Sequence, residues 1–503
     1  MGAIRTRRNR RRRGLELRDD SNLHLEEARS KMSAVIKKAV LKEMVETRNS
    51  SAIPSGDVRP GMGLLTPPPK YLIVTLLLAG LLVNAVMVLV VLPRLAHALN
   101  YSLSLGDLYD QIAKSLDEGH GYRVEPNMGK TMLREPVYPL LIAAVFKVSG
   151  YGDQGPRCFC ILLAFASALM LLRLTQKITG DGVIALTAAL LFLLYPWSLI
   201  AEARAGNEMP CILGMLLFML LLYRAAEEGR LLLFGVAGLL LGATTLVRSE
   251  VLLFPLFLLP YFLIASKDWE GRGKALLRIA VLAAGAVTVM SPWIVRNYLL
   301  VHKFVPTATL SGVAAQEGLY TCEHLPQYGS FMLAQRGAGL ERAEIARQLG
   351  LPFEGSYYYQ VFYTPQDEVK FNSTLLQRVS QEYRRDPGVL VGCSARNLVF
   401  KFWFLGKTPT VTRMNMLVQL PLLAVALGGF IVLGKRGLLV KMAVILLYLL
   451  YVPMVHAGII AHARHSMLIA PFLFIPAAVF LAWTWQAVQM KYRRPQPCGP
   501  YPA

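Results

Sequence analysis

Apolar residues in this chain fall in long unbroken runs rather than in the spaced patterns of soluble helices and strands. The first run covers 71–92, and further runs cover 158–172, 183–199, 209–223, 231–247, 251–264, 276–295, 416–433, 438–455 and 467–485. A helix that crosses a bilayer takes about 20 apolar residues. Backbone groups in lipid must be satisfied within the protein, so these runs are expected to be helices. They predict an all-α polytopic membrane protein with about ten spans. A further run at 137–148 is only about a dozen residues long and suits an interfacial or buried helix better than a span. No internal repeat is visible.

Basic residues then set the orientation, because Lys and Arg collect on the cytoplasmic side of membrane proteins. If 137–148 does not cross, Arg173, Lys177, Arg224, Arg230, Lys267, Arg272, Lys274, Lys435, Arg436, Lys441, Lys491, Arg493 and Arg494 all fall inside. Counting that run as a span inverts them. Both termini are therefore expected in the cytoplasm. The first apolar run, of about 20 residues, is too long for a signal-peptide core and is expected to stay as an anchor.

The resulting division is a basic tail and linker at 1–70, a membrane module at 71–298 that includes an external loop at 93–157, and a larger external loop or small domain at 299–413. That loop carries an amphipathic, interfacial stretch at 389–405. C-terminal membrane helices at 414–490 and a short tail at 491–503 complete the chain. Within the first tail, an arginine-rich run from Arg5 to Arg13 precedes an amphipathic stretch at 23–45. The tail is expected to be solvated or to meet anionic lipid headgroups.

Composition agrees with this. Of 503 residues 54% are hydrophobic and 17% charged, with a net charge of +21. Much of that charge lies in the tail and the short loops, where membrane orientation accounts for it, so no nucleic-acid role is expected. The six cysteines show no metal-ligand spacing. Cys322 and Cys393 share the large external loop, where an oxidising compartment permits a pair, although sequence leaves the connectivity open. No nucleotide- or metal-binding pattern appears, and a divalent ion between external carboxylates stays open.

On this topology the unusual polar residues gather on the external side. They are Asp107, Tyr109 and Asp110; Gly119, His120, Gly121 and Tyr122; Arg134, Glu135 and Tyr138; Glu202 and Glu208; Arg248 and Glu250; Arg296 and Asn297; and His462, Arg464 and His465. A single charge at a span end is often just an interface anchor. Carboxylates and guanidiniums at one face fit a functional cavity better. Arginine binds phosphate through paired N–H groups, and a carboxylate can take a proton from a hydroxyl.

These residues also form an ordered set of motifs. Asp107, Tyr109 and Ala113 are followed by Gly119, Gly121 and Tyr122; then come Arg134-Glu135-Pro136-Val137-Tyr138-Pro139, Glu208, Pro292-Trp293 with Arg296-Asn297, and His462-Ala463-Arg464-His465. Over about 71–485 the chain thereby resembles the GT-C membrane glycosyltransferases, in particular the group related to protein O-mannosyltransferases and aminoarabinose lipid A transferases. The resemblance implies a polyprenyl-phosphate sugar donor, an extracytoplasmic acceptor, inverting transfer, an external Asp as general base, and residence in a bacterial inner membrane. Carried to this sequence, it makes Asp107 the first choice of base and Asp110 the second. Arg296, Arg464, Arg134 and Arg248 become candidates for the donor phosphate. Glu208, Glu135, Tyr109, Tyr138, Asn297 and His462 become candidates for sugar or acceptor. The chain departs from the pattern at Leu105, where many relatives place the Asp, at Glu135 in place of Pro, and at His465 in place of Tyr. The aromatic run Tyr357, Tyr358, Tyr359, Phe362 and Tyr363 is a candidate sugar platform, or packs onto the membrane module. The rival readings are a transporter or flippase of a lipid-linked saccharide, whose ionisable groups would lie nearer mid-membrane, and a non-catalytic scaffold.

Overall fold

The computed structural model describes residues 69–98, 103, 105–265, 269–355 and 359–492. The arginine-rich tail, the 23–45 stretch, Tyr357, Tyr358, Cys498 and the C-terminal tail beyond 492 lie outside them. The chain divides into two compact units, one of 62–258 with 277–503, the other of 1–61 with 259–276. The described part of the second unit is helical, the end of one helix and the start of the next. All packing below is within the first unit.

The helices in order are α1 (Lys70–Ala98), α2 (Tyr109–Asp117), α3 (Val137–Ser149), α4 (Gln154–Thr179), α5 (Gly182–Leu193), α6 (Pro196–Ala203), α7 (Glu208–Glu228), α8 (Leu231–Thr245), α9 (Phe254–Ala265), α10 (Trp269–Val301), α11 (Ser311–Tyr328), α12 (Phe331–Gln348), α13 (Pro365–Arg385), α14 (Pro387–Arg396), α15 (Pro409–Lys435), α16 (Ala443–Val455) and α17 (Ala470–Tyr492). A two-residue antiparallel hairpin, β1 (Phe353–Glu354) with β2 (Val361–Phe362), sits between α12 and α13.

Six helices among the described residues are long and apolar enough to cross a membrane: α1, α4, α7, α10, α15 and α17. A seventh arises if α5 and α6, bent by 47°, count as one span. The other three expected spans, 231–247, 251–264 and 438–455, fall on apolar helices of 10–17 residues. At 1.5 Å per residue, 17 residues reach only about 26 Å, short of a hydrocarbon core of about 30 Å. The expected count of ten is therefore not matched by helix length. The 137–148 run does form a short helix, α3, of 13 residues.

Local chemistry explains most of the boundaries. Asp181 caps α5 by accepting from the amides of Val183 and Ile184. Thr364, Asp386 and Thr408 cap α13, α14 and α15, each followed by proline at the first helical position. Inside the bundle, glycine allows α8 to meet α10 closely: a Cβ on Gly238 or Gly242 would run into the Leu282 or Ala286 carbonyl. Small residues at such crossings let membrane helices pack backbone to backbone.

Residues 302–408 fold into α11–α14 with the hairpin. A small apolar core of Ile345, Ala346, Leu351, Phe362, Phe371 and Leu375 holds them. The 389–405 stretch is α14, continued by a wide turn at Asn397–Lys401 and by Phe402–Phe404. Cys322 of α11 and Cys393 of α14 are joined in a disulfide. It closes a loop across a sequence separation of 71 residues, which by chain entropy is worth up to about 4 kcal/mol. Reduction, or Cys393→Ser, should lower the apparent melting temperature of the purified protein. Tryptophan emission during a thermal ramp with and without reductant checks this, and coincident curves would remove the bond from the stability account.

Candidate active site

The loop before α2 makes the first contribution. Asp107 and Leu108 both lie in the left-handed region, at φ 66° and 67°. Such a backbone costs non-glycine residues energy, is best tolerated by Asp and Asn, and concentrates at functional sites. The turn brings Asp107 to three chain-distant groups, two at its carboxylate and one at its carbonyl. Oδ2 accepts from Arg464 Nη1 at 2.8 Å, and Oδ1 accepts from the Tyr359 hydroxyl at 2.6 Å. Arg134 Nε donates to the Asp107 carbonyl at 2.7 Å.

The network continues through Glu208 at the start of α7. Its side chain is 1% exposed. Oε1 accepts from Arg464 Nε and, at 3.1 Å, from Arg248 Nη1. Arg248 also donates to Asn207 Oδ1 at 2.7 Å and to both oxygens of Glu250 at 3.1 and 2.7 Å. Tyr109 lies beneath. Its hydroxyl accepts from Asn207 at 2.8 Å, and Arg134 stacks over both its ring and that of Tyr359. One guanidinium, Arg464, thus bridges two carboxylates from separate parts of the chain.

Charge follows geometry. Burial opposes ionisation of Asp107, but Arg464, Arg134 and the Tyr359 hydroxyl overcome it and hold the carboxyl far below the usual range. His462, beside Arg464, is pressed down to about 3 by burial, Arg464, His456, Arg204 and Lys407, and so stays neutral. Burial with the nearby Arg204 and Arg464 also lowers the Lys407 ammonium, which Asp107 partly offsets. Arg204 and Lys407 are therefore close to the Arg464 network. Arg134 Nη2 is buried with no hydrogen-bond partner.

Of the twelve residues singled out from sequence, Asp107, Tyr109, Arg134, Glu208, Arg248, Arg464 and His462 are brought together. Asp110, in the first turn of α2, is half-buried and pairs with none of these arginines; burial raises its carboxyl above the usual value. Tyr138 packs edge-on to Tyr109 at 5.0 Å, its hydroxyl donating to the Ala205 carbonyl. Glu135 accepts from the Ser249 amide at 3.2 Å and so braces the turn that carries Arg248. Glu202 turns away, toward Asn84 of α1.

Arg296 and Asn297 do not join the network. Arg296 stacks on Trp293 and Tyr122 and donates to the Thr131 carbonyl at 2.9 Å, while the Asn297 amide donates to the Val305 carbonyl at 3.0 Å. Both stitch the 122–133 segment and the 305–309 turn onto the end of α10. Sequence reasoning also passed over Arg204 and Lys407, ordinary basic residues in loops, and Asn207.

Glu368 of α13 reinforces the same seam. It accepts from the Thr131 hydroxyl at 2.5 Å, the Met132 amide at 2.9 Å and the Thr309 hydroxyl at 3.3 Å. Burial outweighs these bonds and raises its carboxyl from 4.5 to about 7. With the folded value above the free one, its stabilising effect is full below 4.5 and is lost as pH rises through about 7. The melting temperature of the wild type should fall relative to Glu368→Gln as pH rises from 4.5 to about 7. Equal pH profiles for the two would show that Glu368 does not titrate there.

Tyr359 also lines a cavity of about 250 Å³, together with Leu108, Gln111, Glu125, Met128 and Glu354 among others.

Residues 133–295 match the family model described as dolichyl-phosphate-mannose-protein mannosyltransferase. The matched segment holds Arg134, Glu135, Tyr138, Glu208 and Arg248, and it supports the reading of a GT-C membrane glycosyltransferase. No curated protein matches the chain by sequence. Among solved structures, the oligosaccharyltransferase AglB of Archaeoglobus fulgidus, in complex with an inhibitory peptide and a dolichol-phosphate, is similar at 14% identity and a TM-score of 0.48, over 85% of this chain and 52% of that one. The same organism's oligosaccharyltransferase tethered to an acceptor peptide is similar at 13% identity and 0.49, over 84% and 50%. ArnT of Cupriavidus metallidurans, bound to undecaprenyl phosphate, is similar at 14% identity and 0.35, over 84% and 79%. The chain thus spans about half the length of the archaeal enzymes.

Proposed function

We propose that this chain moves a hexosyl or pentosyl group from a polyprenyl-phosphate donor to a hydroxyl of an extracytoplasmic glycan, lipid or protein, with inversion. The supporting observation is the charge arrangement around Asp107. Arg464 is shared by two carboxylates, Arg204 beside it has no ion pair among the described residues, Nη2 of Arg134 is buried without a hydrogen-bond partner, and the Lys407 ammonium lies near them. A phosphate is the ligand that suits such a group of cations.

In this reading Arg204, Lys407, Arg134 and Arg464 hold the donor phosphate and stabilise it as the leaving group. The acceptor oxygen forms a bond to the anomeric carbon while the bond from that carbon to the phosphate oxygen breaks, its electron pair leaving on the phosphate. Asp107 takes the hydroxyl proton. A carboxylate held as low as Asp107 is a weak base in the free protein. Donor phosphate draws on the charge of Arg464, and an acceptor that displaces Tyr359 removes its hydrogen bond; both raise Asp107 basicity when both substrates are present. The cavity beside Tyr359 is the acceptor's approach. Tyr109 and Glu208 keep the arginines aimed.

The test is release of free polyprenyl phosphate from a sugar-loaded carrier by purified protein, dependent on added acceptor. A protein that carries the intact glycolipid between leaflets of a proteoliposome without releasing polyprenyl phosphate would be a flippase, and the transferase reading would fail.

A further inference from the structure

Beside the Asp107 network lies a second cluster that the proposed transfer does not use: Glu250, His456 and His465. One ligand atom from each falls within 4.8 Å of the others. The three come from separate elements, Glu250 from the turn before α9, His456 from the end of α16 and His465 from the turn before α17.

The tautomer of His456 is set by its surroundings. Nδ1 lies 2.9 Å from the Ile460 carbonyl, an acceptor only, so Nδ1 carries the proton. In the neutral ring Nε2 then presents a lone pair. That nitrogen is buried in a residue 1% exposed and has no hydrogen-bond partner. It faces Glu250 Oε1, another electron-pair donor, at 3.6 Å. Two acceptors do not face each other at that distance for their own benefit. Ligands at zinc-nitrogen and zinc-oxygen bond lengths around a tetrahedral centre stand about 3.4 Å apart.

The frame around this pair is rigid. The Asn397 amide donates to the carbonyls of His456, Ala457 and Ile459 at 3.2, 2.9 and 2.8 Å, which fixes the turn carrying His456. A carbonyl holding the far nitrogen of a metal-binding imidazole is the usual outer support of such ligands. His465 is stacked at 4.0 Å on His456. The described hydrogen bond to its ring is a 3.3 Å contact from the His462 amide to Nδ1, weak enough to yield. Arg248 shares the Glu250 carboxylate, but it also binds Asn207 and Glu208 and keeps those partners if Glu250 turns to a cation.

We propose that Glu250, His456 and His465 form a site for a divalent transition-metal ion of the zinc class, with two imidazoles and one carboxylate as ligands. The ion would clamp the turns before α9 and α17 to the end of α16. Because His465 follows Arg464 directly, it would also fix the guanidinium that bridges Asp107 and Glu208. The site is structural and does not depend on the transferase reading.

The test uses full-length protein in detergent, freed of any histidine tag, stripped with chelator, incubated with Zn2+ and desalted. Elemental analysis should find about one zinc per chain in the wild type, and His456→Phe and His465→Phe should keep less than about a tenth of it. His324→Ala, outside the cluster, should bind as the wild type does. Zinc should raise the melting temperature of the wild type and leave that of His456→Phe unmoved. If the variants fail to fold, Co2+ bound to the wild type decides: ligand-field absorption of a four-coordinate centre, displaced by one equivalent of Zn2+, supports the site. Zinc content equal in wild type and His456→Phe, or no such absorption with Co2+, overturns it.

Discussion

Asp107→Asn should lower sugar transfer by about a thousandfold, with binding of the donor lipid retained. The backbone favours this variant, because the residue sits at φ 66°, where Asn is tolerated nearly as well as Asp and better than Ala. The amide oxygen can still accept from Arg464 or Tyr359, so the turn keeps a partner. What disappears is the capacity to take a proton, and general-base catalysis contributes about 10²–10⁴ in rate. Asp110→Asn serves as the comparison. Its carboxyl is half-buried and outside the ion-pair network, and its loss should leave most of the rate. Polyprenyl phosphate released per enzyme, followed in a single turnover, measures both. Wild-type turnover in Asp107→Asn would take the base role from it, and loss in Asp110→Asn alone would give that role to Asp110.

The fold could be read from the sequence wherever one residue type repeats for long enough. The apolar runs became helices throughout: 71–92 and 276–295 lie in long ones, as do the shorter runs at 158–172 and 209–223, and the dozen residues at 137–148 became a short one. Run length alone did not decide which helices were long enough to span. The runs at 231–247, 251–264 and 438–455 look like spans by composition, yet each forms a helix of 17 residues or fewer. A hydrophobic count does not register where a helix stops, and here Arg248-Ser249 and Gly437 interrupt it.

The site was legible to the extent that position along the chain decides what meets. Charges at helix ends share a level, so Asp107, Glu208, Arg248 and Arg464 could be anticipated together. Position along a helix does not say which way a side chain faces. Arg296 also closes a long helix, but Trp293, one turn earlier, takes the guanidinium onto its ring and away from Asp107. Arg204 and Lys407 carry no motif at all. Their significance lies in their closeness to Arg464 and His462, which exists only once the end of α6, the 405–408 turn and the 462–465 turn are assembled.

Arg464→Ala should be the most damaging single change to stability, and its cost should not add to that of Asp107→Asn. Arg464 is the joint between Asp107 and Glu208. Its removal leaves Glu208, 1% exposed, with Arg248 alone, and Asp107 with the Tyr359 hydroxyl and the more distant charge of Arg134. Taking one partner from a buried ion pair costs about 3–5 kcal/mol, because the remaining charge stays desolvated. Arg464→Lys keeps the charge but cannot reach two carboxylates with one planar group, so it should fold and bind donor lipid poorly. In the double variant Asp107→Asn with Arg464→Ala, one of the stranded carboxylates has become neutral. The loss in melting temperature should therefore be smaller than the sum of the single losses. The pH dependence should change as well. The Asp107 carboxyl is depressed in the folded protein, so its contribution is present above the free carboxyl value and is lost as pH falls toward its folded value. Arg464→Ala should flatten that acid limb. Thermal unfolding of the four proteins in one detergent at several pH values measures all of this. Strict additivity, or an acid limb of unchanged slope, would mean that the guanidinium bridging Asp107 and Glu208 is not what holds the network together.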